Sequence, residues 1–503
     1  MNLLSFSSMF QHVPIHQLAL GRGRPDAPAL TDLSTGVTVT YKQLRELAGN
    51  VAQVLSRTPL AHRPVIAVQL PNSVEFAATF LGISQAGGTT SLIGPLLRDH
   101  EAQHLADLAN ADRTVGIIRM AEAKALIHGQ TPEGWPPLTP LPSTRGVAGT
   151  DAPATDNGGP GDEFAFIPFS SGTTGLPKAV GLPGASISAN MQQFAAALAR
   201  SGVGEHTSTM SPLPFSHIYG LTALLLTPLM LGHHVITMQR FDPALFSRAH
   251  RDYGVRLTFI APPLARVLAA ADPGDFDSLE LIVSGADRLD PAIAQAVETH
   301  LGASVIQGYG MTETSPVTFV GVRGKTPHDS VGFPLPDTRF RLGAHGELLV
   351  AGPQLMRGYL GHPPVGEWFD TGDLARVGEQ GELYITGRAK DTIKYKGYQI
   401  APAELEAVLI QHGAITDAAV TQFDLHGTEV PRAFVVRAPG AALSESSIID
   451  FVAARVAPYK KVRAVDFVDA IPRSAAGKIL RNQLRNLPRA TTSPGPRPCP
   501  GAE

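Results

Sequence analysis

The sequence predicts an α/β protein: doubly wound sheets first, then a small β-rich segment, then a compact α+β unit at the C-terminal end. Three observations predict it. Short apolar runs alternate with amphipathic stretches from residue 29 to residue 307, the rhythm of strand and helix in open α/β sheets. Past Val331 the apolar runs shorten and are separated by glycines, as in a small β subdomain. Several of the earlier runs stop at clusters of Gly, Ser and Thr, and doubly wound sheets hold ligands where their strands end.

Taken in order, residues 29–60 read as a strand pair and a helix, with a strand at 37–40 and the helix over 41–55. Residues 64–70 form a buried strand. The stretch 73–86 is an amphipathic helix, with Val74, Phe76, Ala77, Phe80, Leu81 and Ile83 at mixed three and four spacing. Residues 135–163 turn to Pro, Gly, Thr and Asp with almost no apolar period, so they make a surface connection. A strand at 164–169, a helix at 186–201 and strands at 209–213, 257–261, 279–284 and 304–307 follow, with a helix at 291–300. Short strands at 339–342, 347–351 and 382–385 make the β-rich part. Helices at 402–411 and 444–455 with strands at 416–422, 432–437 and 464–468 make the α+β unit. Residues 491–503 are expected to be disordered. There is no internal repeat.

At 503 residues the length allows about three domain-sized units. A composition 43% hydrophobic and 17% charged is that of a globular chain. The net charge of -3 gives no electrostatic reason to bind nucleic acid or acidic membranes. The single cysteine, Cys499, excludes an internal disulfide and any cysteine metal cluster, which fits a reducing cytoplasm. Residues 1–20 hold no Lys or Arg and no long apolar core, so no signal peptide is expected. The apolar run 221–238 is broken by Pro228, Gly232, His233 and His234, which suits a buried helix and strand better than a membrane span.

The densest polar motif follows strand 164–169. Ser170, Ser171, Gly172, Thr173, Thr174, Gly175 and Lys178 bring four hydroxyls, two glycines and an ammonium together, which is an inventory for holding a polyphosphate. The spacing is not that of a Walker A loop. A Ser/Gly/Thr-rich linker is the bland alternative. Two further strand ends, Ser284-Gly285-Ala286 and Gly308-Tyr309-Gly310-Met311-Thr312-Glu313, would line the same crevice. Glu313 is the only carboxylate there and suits Mg²⁺ beside a polyphosphate, unless Thr312 and Glu313 merely cap a following helix. Asp373 and Arg388 lie near loop tips; Asp373 would accept both hydroxyls of a ribose, or serve as an ordinary turn residue. Lys478, after two small residues and a glycine, sits on a loop able to deliver it into a site, or is simply solvated.

Together these segments resemble the adenylate-forming superfamily of acyl- and aryl-CoA synthetases, peptide-synthetase adenylation domains and luciferases. The resemblance runs from Tyr41 to Arg485 with five motifs in the family's order. It is strongest toward 4-coumarate–CoA ligase-like members, through His217-Ile218-Tyr219, Gly308 to Glu313, and the run from Ile393 to Glu406. It implies two doubly wound subdomains plus a small β-barrel in an N-terminal domain (1–389), then a mobile C-terminal domain (390–490) and the tail 491–503. It also implies ATP, Mg²⁺ and CoA, with a carboxylic acid converted to acyl-AMP and then passed to the thiol.

By the same resemblance, Ser170 to Lys178 would hold the β- and γ-phosphates, and Thr312 and Glu313 the α-phosphate and metal. Ser284, Gly285, Ala286, Gly308 and Tyr309 would sandwich adenine, with Gly310 and Met311 in the same nucleotide site. Asp373, Tyr384 and Arg388 would complete the nucleotide site. Lys478 would touch the reacting oxygens, and Lys390 would be the hinge. Lys394, Tyr395, Lys396 and Gly397 would complete a CoA channel. His217, Tyr219, Gly285, Gly308, Met311, Pro316 and Val317 would wall a mostly apolar acid pocket. Residues 89–99 lack the family's Asn-Pro-containing segment. The alternative acceptor is a carrier protein. The expected assembly is a monomer or homodimer with no integral membrane segment.

Overall fold

The computed structural model describes residues 13–139, 164–171, 177–395, 398–425, 428–473 and 479–487. Of the surface connection expected over 135–163, residues 140–163 lie outside the described residues, as does the tail 491–503. The chain divides into two compact units, a large one holding most of the sequence to Tyr384 and a small one holding Ile385 onward with residues 345–347 and 372–375.

The large unit contains two α/β sheets. The first has nine strands, in the order Phe333–Pro334, Val317–Val320, Ser304–Gly310, Leu281–Ser284, Leu257–Ile260, Ser208–Ser211, His234–Thr237, Pro28–Asp32 and Val37–Thr40. Its middle strands are parallel and its two ends antiparallel. The second has seven strands. It runs Gly358–Tyr359, Pro177–Pro183, Phe164–Ile167, Thr89–Leu92, Val65–Val68 and Ile117–Ile118, with Phe169–Ser171 paired beside Pro177–Pro183.

Strong local signals start the helices. Thr40 and Gln43 form a reciprocal capping box that opens Tyr41–Arg57, and Ser73 caps Val74–Gln85 by accepting the Phe76 N–H at 3.1 Å. Both helices bury their apolar faces in one core with Phe166, Phe194 and Phe259. The run 221–238 is a buried π-helical stretch, Tyr219–Leu226, then a helical turn and the strand His234–Thr237. Among the described residues no helix is long and apolar enough to cross a membrane.

A four-stranded sheet of Arg339–Leu342, Glu347–Ala351, Phe369–Val377 and Leu383–Arg388 makes the β-rich part. Sequence places Asp373 and Arg388 at loop tips. Instead, Asp373 lies inside the nine-residue strand Phe369–Val377, and Arg388 ends the strand Leu383–Arg388. The turn-like string around Gly372 misleads because the strand accommodates that glycine at φ +69°.

In the small unit Ile415–Leu425 and Thr428–Arg437 pair antiparallel, and Ala464–Phe467 adds in parallel. The helices Pro402–Ile410 and Glu445–Ala453 pack on them through Leu405, Leu409, Ile448 and Val452.

Candidate active site

A hairpin frames the hydroxyl-rich loop. Phe169–Ser171 runs antiparallel to Pro177–Pro183, with Ser170 opposite Lys178 and Ser171 opposite Pro177. Gly172, Thr173, Thr174 and Gly175, and the side chain of Ser171, lie outside the described residues. Lys178 is thus part of a strand and not of the loop. Opposed residues of a ladder project to the same face, which puts Ser170 beside Lys178. The Ser170 hydroxyl is buried with no hydrogen-bond partner among the described residues.

The other edge of Pro177–Pro183 pairs with Gly358–Tyr359, Tyr359 standing opposite Val180. Residues two apart on a strand share a face, so Tyr359 is a diagonal neighbour of Lys178. The Lys178 ammonium lies 4.9 Å from the Tyr359 ring centroid. The Tyr359 hydroxyl donates to Glu313 Oε1 at 2.9 Å. Burial, and then the Glu313 charge, raise the phenol's pKa above its ordinary value, so it stays a neutral donor. Lys178 and Glu313, remote in sequence, meet through one tyrosine that the sequence reading missed.

Glu313 is 8% exposed and belongs to the short turn Thr312–Thr314 at the end of the strand Ser304–Gly310. The helix-capping alternative finds no helix to cap, because the strand Val317–Val320 comes next. The turn is tightly held. The Met311 N–H and the Thr314 hydroxyl both donate to the Pro316 carbonyl, at 3.0 and 2.6 Å. Asn190 grips Val317 both ways, donating to its carbonyl at 2.7 Å and accepting its N–H at 3.1 Å. A Cβ on Gly310 would fall 1.8 Å from the Pro316 oxygen, so only glycine fits there.

The neighbouring strand end is equally constrained. Ser284 closes Leu281–Ser284 with its hydroxyl buried and unpartnered among the described residues, and the Gly285 N–H donates to the Ile260 carbonyl at 3.0 Å. Ala286 takes φ +73°, a left-handed conformation that costs energy for a residue with a Cβ and that clusters at functional turns. Gln307 ties this loop to the strand Ser304–Gly310: its Oε1 accepts the Leu289 N–H at 2.8 Å and its Nε2 donates to the His328 carbonyl.

Of the residues expected to wall the acid pocket, the structure brings Tyr219 and Gly285 together. A Cβ on Gly285 would lie 2.7 Å from the Tyr219 ring. Tyr219 also stands edge-on to Phe259. His217 Nδ1 accepts the Tyr219 N–H at 3.3 Å. Gly308, Tyr309 and Met311 are half-buried, while Pro316 and Val317 are buried. A second missed residue, Asn72, holds this loop. Its Nδ2 donates to the Leu213 carbonyl and to the Thr237 hydroxyl, both at 2.9 Å, and its Oδ1 accepts the Phe215 N–H at 2.7 Å. The strand-end rule pointed to it, since Pro71-Asn72-Ser73 follows the strand Val65–Val68. Tyr359 gave no such signal.

In the small unit Asp373, 4% exposed, pairs with Arg388, Nε to Oδ1 at 3.1 Å. Lys390 lies in the turn Ala389–Asp391, where burial, then the Arg388 guanidinium, hold its pKa below the usual lysine value. Lys394 is exposed on the strand Ile393–Tyr395, its N–H donating to Glu429 at 2.9 Å, and Tyr395 lies against Arg463 at 3.8 Å. Lys396, Gly397 and Lys478 lie outside the described residues. On either side of Lys478's loop, Arg473 and Ile479 form an antiparallel bridge. Tyr384, in the large unit, donates to Glu382 Oε1 at 2.9 Å under the Arg376 guanidinium.

The large unit therefore places a fixed cation and two hydroxyls without a partner among the described residues, Ser170 and Ser284, at the ends of strands, a set able to bind a polyanion, with the buried Glu313 carboxylate nearby. Comparison with known proteins agrees in family. The AMP-binding enzyme model matches residues 19–360, and the AMP-binding enzyme C-terminal domain model matches 404–478. A 4-coumarate–CoA ligase 2 of Oryza sativa subsp. japonica is 34% identical over 94% of this chain and 92% of its own. A 4-coumarate–CoA ligase 1 of Solanum tuberosum is 32% identical over 94% of each. In fold, the benzoate CoA ligase of Burkholderia xenovorans LB400 superposes with a TM-score of 0.78 at 23% identity, covering 94% of this chain and 100% of that one. The first family match alone covers well over half of the sequence, and the chain belongs to the AMP-binding enzyme family.

Proposed function

We propose that the chain is an ATP-dependent acid–thiol ligase that activates a mostly apolar carboxylic acid, of the aryl kind by its relatives, and passes it to CoA. The acid's carboxylate oxygen bonds to the α-phosphorus of ATP as the bond to pyrophosphate breaks. The thiol sulfur then bonds to the acyl carbon of the acyl-AMP, and AMP leaves. The observation that carries this reading is the meeting of Lys178 and Glu313 on one tyrosine beside the hydroxyl-rich hairpin.

In this scheme Lys178, Ser170 and the loop between them hold the β- and γ-phosphates. Thr312 faces the α-phosphate. Ser284 to Ala286 and Gly308 to Tyr309 flank adenine, and Asp373 with Arg388 takes the ribose. Among the described residues no cluster of three or more His, Cys, Asp or Glu offers a metal cage. Glu313 alone therefore fits Mg²⁺ only as one ligand of an ion shared with phosphate oxygens, where it would neutralise phosphate charge. Tyr219, Gly285, Met311 and Val317 present an apolar surface to the acid, with His217 at its edge. Lys478 stabilises charge on the reacting oxygens during adenylation, whereas the segment Lys394 to Gly397 serves the thiol step after the C-terminal part pivots at Lys390.

The test is ATP–pyrophosphate exchange against aromatic and aliphatic acids, with AMP release followed with and without CoA. Exchange with one acid class plus CoA-dependent AMP release is expected. Exchange that persists while CoA gives no turnover would refute the acceptor and leave a phosphopantetheinylated carrier protein. Lys478→Ala is expected to abolish exchange yet spare thioester formation from supplied acyl-AMP, and Lys394→Ala to do the reverse. Loss of the same half-reaction in both variants would refute the division of labour.

A further inference from the structure

We propose that Tyr359 is a positioning residue for this reaction, fixing Glu313 through its hydroxyl and Lys178 through its ring face. The proposal rests on the ATP-binding reading above and assigns a role to a residue outside the phosphate and carboxylate motifs.

The argument begins with strand register. Tyr359 stands opposite Val180 on one edge of Pro177–Pro183, and Ser170 stands opposite Lys178 on the other. Alternation along the shared strand puts Ser170, Lys178 and Tyr359 on one face, so the hairpin sets the position of the ring. The backbone repeats the link. The Arg357 N–H donates to the Gly181 carbonyl and the Leu360 N–H to the Ala179 carbonyl, both at 3.0 Å, while the Met356 N–H donates to the Glu313 carbonyl at 2.8 Å. The segment 356–360 therefore bridges the phosphate hairpin and the Glu313 turn with both main chain and side chain.

Chemistry gives the ring its purpose. A buried carboxylate and a nearby ammonium attract, and a direct ion pair would neutralise the cation needed for phosphate. Here the two charges instead contact different parts of one neutral side chain, the ring face at 4.9 Å and the hydroxyl at 2.9 Å. A cation over a tyrosine face keeps its charge available, because the quadrupole attracts it without donating a counter-charge. The hydroxyl meanwhile fixes one carboxylate oxygen and so orients the other.

The two contacts separate by substitution. Tyr359→Phe removes the hydrogen bond and keeps the ring. Tyr359→Leu removes both. Binding of ATP to the full chain is measured by calorimetry in EDTA and again across a Mg²⁺ titration, with melting temperature recorded for each protein. Tyr359→Phe is expected to bind ATP in EDTA like the unsubstituted chain, yet to need about tenfold to a hundredfold more Mg²⁺ for the same gain in affinity, the scale of one lost hydrogen bond to a charged group. Tyr359→Leu is expected to bind ATP about fivefold more weakly in EDTA as well. A Phe variant unchanged in its Mg²⁺ dependence overturns the inference. So does a Phe variant weakened equally in both media with a matching fall in melting temperature, which marks a merely structural residue. An unsubstituted chain that binds no ATP overturns the functional reading itself.

Discussion

Replacing Asn72 with alanine tests whether the loop that carries His217 is held from beneath. The wild-type amide donates to the Leu213 carbonyl and the Thr237 hydroxyl and accepts the Phe215 N–H. Thr237 keeps its own bond to the Ser211 carbonyl at 2.7 Å, so it loses little. The Phe215 N–H is buried and would be left without a partner. Such an orphan costs about 1–3 kcal/mol. Leu213 is only half-buried, and water recovers part of what its carbonyl loses. The sum is a loss of about 2–3 kcal/mol. Urea unfolding followed by circular dichroism measures it. Function should fall unevenly: ATP binding by calorimetry stays near that of the unsubstituted chain, while acid-dependent exchange drops about tenfold to a hundredfold because the acid-side loop shifts. Asn72→Asp, which keeps the acceptor but buries a charge, should be no better than alanine. A stability change under about 0.5 kcal/mol, or equal losses of ATP binding and acid-dependent exchange, would refute the argument.

Two further outcomes follow from single positions or groups. Gly310→Ala, whose Cβ would sit 1.8 Å from the Pro316 oxygen, should cut exchange about a hundredfold. Gly308→Ala meets only ordinary contacts, at 3.7 Å and beyond, and should leave the melting temperature unchanged; equal effects of the two would sink the steric reading. Burial lowers His233, His234 and His250 each to a pKa of about 4, so the folded chain keeps them neutral where the unfolded chain binds protons. Stability from this source is complete above about pH 6.5 and is lost as pH falls toward 4, by up to about 1.4 kcal/mol per pH unit for each histidine. Urea midpoints at pH 7.5, 6 and 5 check it, and a flat profile would contradict it.

The sequence reading reached furthest where one local signal decides. The helices expected over 41–55 and 73–86 are present as Tyr41–Arg57 and Val74–Gln85, and the two glycine-rich strand ends fall where open sheets hold ligands. It failed where tertiary pairing decides. Asp373 looks like a turn residue until the rest of its sheet fixes it inside a strand. Tyr359 has no motif of its own, since its role comes from lying opposite Val180 across a ladder. Asn190 reads as an ordinary polar residue, and only the folded chain shows that it holds both the carbonyl and the N–H of Val317.

The place of Lys178 on a strand has a kinetic consequence. Its charge is anchored by pairing to Ser170 on one side and by the Tyr359 ring on the other, so it belongs to the scaffold and not to the loop. A polyanion approaching the hairpin meets a field that is already oriented, with no rearrangement needed to create it. Substitutions in the hydroxyl-rich loop should then act mainly on how fast pyrophosphate departs, whereas the rate of nucleotide capture and its dependence on ionic strength should follow Lys178. In the proposed scheme the hairpin divides arrival from departure between strand and loop.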